Sequence, residues 1–189
     1  MNYTLPSNQE LAAVVPYYSP HGDSTQLFLT NGEIMTLPLK TATIVRRLAY
    51  RQTIDLLALK AKTTKIIQST IWQPLVLAPD LVLTPLKMRK PKISGDATGG
   101  YINFQHILAV NALPNATQLR LTGDHSILCL WKLSTVQSHL QEAQLLFLTE
   151  ASQPIHPLAD LQDKLFRMWF ENPSNNFTKF LRLYTMNGI

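Results

Sequence analysis

Apolar and polar residues alternate from Thr25 to Leu29, which puts Leu27 and Leu29 on one face, as in a half-buried strand. Asn31-Gly32 follows, a pair suited to a type I′ hairpin turn, where both central residues need positive φ. Ile34 to Leu39 reads as the return strand. Beyond it, Thr41 or Thr43 is placed to cap a helix that carries Ile44, Val45 and Leu48 and reaches toward Leu56.

The same succession returns 92 residues later. Thr25-Gln26-Leu27-Phe28-Leu29-Thr30-Asn31-Gly32 is matched by Thr117-Gln118-Leu119-Arg120-Leu121-Thr122-Gly123-Asp124. Lys40 and Lys132, Thr43 and Thr135, Ile44 and Val136, and Leu48 and Leu140 keep that offset, and Leu11-Ala12-Ala13-Val14 echoes Ile107-Leu108-Ala109-Val110. Constant spacing favours duplication over coincidence. The second copy predicts a strand over Gln118–Leu121, a turn at Gly123-Asp124 and a return strand over Ser126–Leu133. Ser134 or Thr135 then caps a helix with Val136, Leu140 and Ala143. Tyr101 to Val110 reads as one more strand ahead of it.

Between the copies, Lys65–Ile71, Leu75–Leu77 and Leu81–Thr84 read as short strands. Pro79 and Pro85 mark edges or loop borders. Lys87-Met88-Arg89-Lys90-Pro91-Lys92 is a basic loop, and Ser94 to Gly100 has a flexible composition. Near the C-terminus, Leu158, Leu161, Leu165, Met168 and Trp169 recur at helical spacing, and Phe177, Phe180, Leu181 and Tyr184 suggest one more helix. The expected fold is therefore α+β and mainly β: two tandem β-rich repeats, each with a short trailing helix, plus C-terminal helices. The expected divisions are 1–50, a basic connecting segment 51–98, a second repeat 99–150, and 151–189.

With 189 residues, 46% of them apolar, the chain can bury a sizeable core. Cys129 is the sole cysteine and sits in an apolar run, which reads as a small buried hydrophobe in a reducing compartment. The first ten residues have neither a basic nor an apolar signal-peptide region. Trp72–Leu86 is the most apolar stretch, but Gln73, Pro74, Pro79, Asp80 and Pro85 break it, so no membrane span is expected. These features predict a soluble cytoplasmic protein.

Enzyme chemistry finds little footing. None of His21, His106, His125, His139 and His156 pairs with another ligand at metal-binding spacing. Asp124-His125 falls in a turn, where polar residues are expected in any case. Gly99-Gly100 alone is weak evidence for a phosphate loop, and no catalytic or nucleotide-binding motif occurs. The expectation is a protein that is not an enzyme and holds neither cofactor nor metal.

Charge is more informative. Between Lys40 and Lys92 lie eleven basic residues and two acids, a local balance of +9, whereas the whole chain carries +5. Such a block points to a polyanion. Arg47 and Arg51 share one helix face, and Arg46 shares the next with Tyr50. Lys60, Lys62 and Lys65 follow, and the basic loop supplies Lys87, Arg89, Lys90 and Lys92. An RNA platform would need aromatic residues that are missing here, and an interfacial membrane helix would need Trp or Phe anchors. A competing reading makes the basic face a docking surface for an acidic protein, with an exposed apolar patch beside it. A third is an enzyme acting on an acidic substrate, which would need a concave pocket.

From about Glu33 to Ala143 the order of segments resembles the bacterial competence transcription factor family ComK. The resembling segments are Leu59-Lys60-Ala61-Lys62-Thr63, Gln73-Pro74-Leu75-Val76-Leu77-Ala78-Pro79, Leu81 to Leu86, Tyr101-Ile102-Asn103-Phe104 and the hairpin Leu121 to Leu128. Gly100 through Leu140 also resembles the LytTR DNA-binding domain. That resemblance places base-contacting loops near Thr98, Gly99 and Gly100 and near Lys132 and Ser134, the last standing where the LytTR family carries Arg. Lys40 is the first-copy equivalent of Lys132. Together these resemblances imply an activator of competence genes that binds AT-rich double-stranded DNA and bends it, a paired site being read either by the two repeats of one chain or by a homo-oligomer. They also imply control by an adaptor–protease system, contact with RNA polymerase, and a place at the nucleoid.

Overall fold

The computed structural model describes residues 3–20 and 22–151. The helices expected around Leu158–Trp169 and Phe177–Tyr184 lie outside the described residues, as do His21 and His156. What is described is α+β and mainly strand. A six-stranded antiparallel sheet contains β1 (Leu11–Ser19), β2 (Gly22–Leu29), β3 (Ile34–Leu37), β4 (Leu75–Ala78), β5 (Leu81–Lys87) and β6 (Gly99–Asn103), in the order β3-β2-β1-β6-β5-β4. A three-stranded antiparallel sheet contains β7 (Ile107–Leu113), β8 (Ala116–Leu121) and β9 (His125–Cys129). The helices are α1 (Thr41–Arg51), α2 (Leu56–Ile67) and α3 (Leu133–Ala151).

Two segments of the chain share one register. In β2 and β3, Thr25 pairs with Leu37, Gln26 with Thr36 and Leu27 with Met35. In β8 and β9, the residues 92 positions on pair alike: Thr117 with Cys129, Gln118 with Leu128 and Leu119 with Ile127. The first strand of each copy carries a bulge at the same place, between Leu11 and Ala13 and between Ile107 and Ala109. Even the hydrogen bond that ties each return strand to its hairpin recurs. Thr25 Oγ1 donates to Leu39 O at 2.6 Å, and Thr117 Oγ1 donates to Trp131 O at 2.8 Å.

Several local expectations are corrected. Lys65–Ile71 is not a strand, because α2 continues to Ile67. α2 is separate from α1: Thr53 takes positive φ, and Asp55 Oδ1 accepts from Leu57 N and Ala58 N at 2.7 and 2.8 Å, starting a new helix. Neither Thr41 nor Thr43 caps α1. Lys40 occupies the cap position without a side-chain bond, while Thr41 is buried against Thr25. The stretch Tyr101–Val110 splits into β6 and β7, which join different sheets through a short 3₁₀ turn at Phe104–His106. α3 has 19 residues and is not short. Pro85 lies inside β5, but β4 pairs with that strand only as far as Leu83, so no ladder donor is lost on that side.

β1 sends its residues into two cores, the bulge between Leu11 and Ala13 turning Ala12 and Ala13 to the same side. Leu11 and Val14 join Leu27, Ile44, Leu48, Leu81 and Leu83, which sets α1 against one face of the six-stranded sheet. Ala12 and Ala13 join Ile102, Leu119, Leu121, Ile127 and Val136, which sets the three-stranded sheet and α3 against the other. The hairpin turns of the two copies meet at one end. His125 Nε2 donates to Leu29 O at 2.7 Å, and the His125 ring stands edge-on to Phe28 at 5.1 Å. Among the described residues, no helix is long and apolar enough to cross a membrane.

Candidate nucleic-acid interface

Antiparallel pairing decides which side chains share an end of the sheet. Ser19 pairs with Gly22, Lys87 with Gly99, and Leu130 N donates to Lys87 O at 2.7 Å. The start of β2, the ends of β1, β5 and β9, and the start of β6 therefore lie together. Lys40 and Lys132 follow the two return strands at this same end, each immediately before its helix. The opposite end holds the turns with Glu10, Glu33, Asp80 and Asp124. Lys40, Lys90, Lys92 and Lys132 are exposed and Lys87 is half-buried. Among the described residues none of the five forms an ion pair. The two acids near this end are already engaged, Asp23 by Arg89 and Asp96 by Tyr18. Charge is thus sorted along the strand direction, with unpaired lysines at one end and acids at the other.

The 88–98 loop is not loose. Met88 N and Arg89 N both donate to Thr98 O, closing the loop at its base. Tyr18 from the end of β1 fills it: the Arg89 guanidinium lies 3.8 Å from its ring centroid and the Lys92 ammonium 4.5 Å. The Tyr18 hydroxyl donates to Asp96 and accepts from Lys92 N. Asp96 is held below the usual carboxylate range, first by that hydroxyl and then by the Ile93 amide. Arg89 also donates from Nε to Ala97 O at 2.8 Å and pairs with Asp23 at 2.6 Å, with only 11% of its side chain exposed. It anchors the loop and leaves display to Lys90 and Lys92. Arg89→Ala strands the Asp23 carboxylate, so a loss of about 2–4 kcal/mol is expected in chemical denaturation.

Thr98 and Lys132, far apart in sequence, are drawn together by aromatic packing. Gly99 lies flat against Trp72, whose ring carbons would stand 2.5 Å from any Cβ placed there. Trp72 meets Trp131 edge-on at 4.7 Å, and Trp131 stacks on His139 at 4.9 Å. This cluster ties the start of β6 to the start of α3. Composition reading missed Trp72 and Trp131: Trp131 is signalled in the sequence only by its place next to Lys132, and nothing in the sequence links Trp72 to Gly99.

The remaining expected cations divide. Arg46, Lys60 and Lys65 are exposed and Arg47 is half-buried, all on α1 and α2. Arg51 donates to Pro6 O and Asn8 Oδ1 at 2.5 and 2.6 Å, fastening the N-terminal segment. Lys62 pairs with Glu150 at 2.6 Å. Ser134 is exposed in the first turn of α3. Between α1 and α2 runs an open groove of about 490 Å³, lined in part by Arg46, Tyr50, Leu57 and Lys60. Tyr50 and Leu57 are 85% and 80% exposed on its rim.

Cys129 is fully buried, and burial pushes its thiol up. Thiol reagents should label it at least about a hundredfold more slowly in the native protein than in denaturant. No protein-family model, curated protein or solved structure matches this chain.

Proposed function

We propose that this chain is a non-enzymatic, DNA-binding transcription regulator that grips double-stranded DNA with its lysine-rich end. The observation that carries the reading is the sorting of charge: Lys40, Lys87, Lys90, Lys92 and Lys132 stand at one end with no ion pair among the described residues, while nearby acids are engaged. Duplication strengthens it, since Lys40 and Lys132 are equivalent residues of the two repeats. Thr98 and Ser134 flank the same end and supply neutral hydroxyls to phosphate or base edges. Arg46, Arg47, Lys60 and Lys65 extend the positive field along the helices. Arg51, Lys62 and Arg89 have internal partners and are left out of the interface. The resemblance to ComK makes the target AT-rich and the outcome activation of competence genes. It also places the protein in the cytoplasm at the nucleoid, with RNA polymerase and an adaptor–protease system as partners.

Binding of the purified protein to labelled AT-rich and GC-rich duplexes across a salt series tests this. Five phosphate contacts imply a log–log slope of about −4 to −5, with tighter binding to the AT-rich duplex. Absence of binding to both duplexes at low salt would sink the proposal. A second reading, a docking face for an acidic protein, is favoured at one place only. The α1–α2 groove sets Tyr50 and Leu57, both strongly exposed, beside Arg46 and Lys60, the pairing of apolar patch and positive charge that such a face needs.

A further inference from the structure

We propose that the free edge of β7 is a strand-pairing surface, and that its occupant is β7 of a second copy of this chain. Among the described residues β7 is bonded on one side only, to β8. The internal repeat shows what its other side is shaped for. β1 is the first-copy equivalent of β7, and its corresponding edge is covered by an antiparallel strand, β6, with Ala13 opposite Ile102 and Val14 opposite Tyr101. Ala13 and Val14 correspond to Ala109 and Val110, just past a bulge that both copies share. The same backbone unit therefore accepts an antiparallel neighbour at these residues. Among the described residues the second copy has no strand equivalent to β6.

The composition of β7 agrees. Ile107-Leu108-Ala109-Val110-Asn111-Ala112-Leu113 holds neither charge nor proline over seven residues, and Leu108 and Leu113 are 64% and 42% exposed. Exposed edges are usually guarded by charge, proline or shortness. The edges of the larger sheet, β3 and β4, follow that rule with four residues each. β7 does not, and its outer N–H and C=O groups have no strand partner among the described residues.

Neutrality favours a second copy. Around a two-fold axis a strand pairs with its own copy in reverse, so a strand carrying charges of one sign would bring like charges together across the pair. An uncharged strand escapes that penalty, and it offers an acidic or basic segment no counter-charge. An axis through Val110 would set Ala109 opposite Asn111 of the partner subunit. It would also keep the faces in step: Val110 and Ala112 lie opposite Leu119 and Thr117, both buried, while Ala109 and Asn111 lie opposite Arg120 and Gln118. The product is a continuous six-stranded sheet running β9-β8-β7 into β7-β8-β9. This inference does not depend on DNA binding.

Sedimentation equilibrium of the full chain over a concentration series should show a monomer–dimer equilibrium. Leu108→Lys with Asn111→Lys, both at exposed positions, should weaken it at least tenfold. Unchanged thermal unfolding of the dilute variant confirms that it folds, and Tyr50→Lys should leave association intact. In a Cys129→Ala background, Val110→Cys, the position that the axis sets opposite itself, should form an interchain disulfide on mild oxidation, since residues opposite across the ladder lie within disulfide reach. A wild type that stays monomeric at every concentration overturns the proposal, as does a dimer that survives the double-lysine change. Amide exchange showing the free edge of β7 protected in the monomer also overturns it, because another part of the same chain would then cover that edge.

Discussion

Replacing Lys40, Lys87 and Lys132 together by Glu is expected to abolish duplex binding at physiological salt while leaving unfolding nearly unchanged. The three are exposed or half-buried and form no ion pair among the described residues, so their loss costs the fold little. Charge-assisted contacts are worth about 1.5–3 kcal/mol each, so removing three weakens binding by about a thousandfold or more. The salt slope should flatten by about three units. Lys62→Gln is the counter-test. It removes a cation from the same basic block, but one paired with Glu150, and should leave the slope as it was. Equal losses from both variants would mean that net charge alone drives binding and that the end of the sheet is no interface.

The second large effect concerns stability. Gly123→Ala is expected to destabilise the protein by about 3 kcal/mol, lowering Tm by about 6–12 °C. Gly123 has φ of +86°, and a Cβ there would stand 2.6 Å from Leu29 O and 3.0 Å from both Thr30 O and Gly32 N. Those neighbours are backbone atoms of the other repeat's turn and cannot swing aside. Gly32 is the built-in comparison. Its φ is +93°, but the nearest atom to an added Cβ is Gly123 O at 3.5 Å. Gly32→Ala should therefore cost only the backbone strain, about 1 kcal/mol. Similar losses at the two sites would mean that the turns are not in close contact.

The repeat was legible because duplication preserves spacing, and the strand registers keep the same 92-residue offset. The break between β6 and β7 was not, because its cause lies elsewhere in the chain. Asn103 is fully buried; its Nδ2 donates to Leu11 O and Asp80 O, and its Oδ1 accepts from Val82 N. Nothing around Asn103 in sequence announces those partners. The basic block was likewise visible as composition, but its internal commitments were not. Arg89 finds Asp23 across 66 residues, and Arg51 finds Asn8 across 43. Like charges along a chain look alike, and only tertiary structure separates anchors from displayed cations.

The strand that covers β1 comes from residues 99–103, well after the first repeat has ended. On the ribosome, β1, β2, β3 and α1 therefore emerge as a sheet with one open side. That side stays exposed while residues 52–103 are made, and such long-range closure is slow. The larger sheet is completed only when β6 arrives, immediately before the second repeat begins. Synthesis must outlast a vulnerable interval in which the newborn half-sheet can pair with a neighbour on the same message, so translation rate through residues 51–98 should govern the yield of soluble protein.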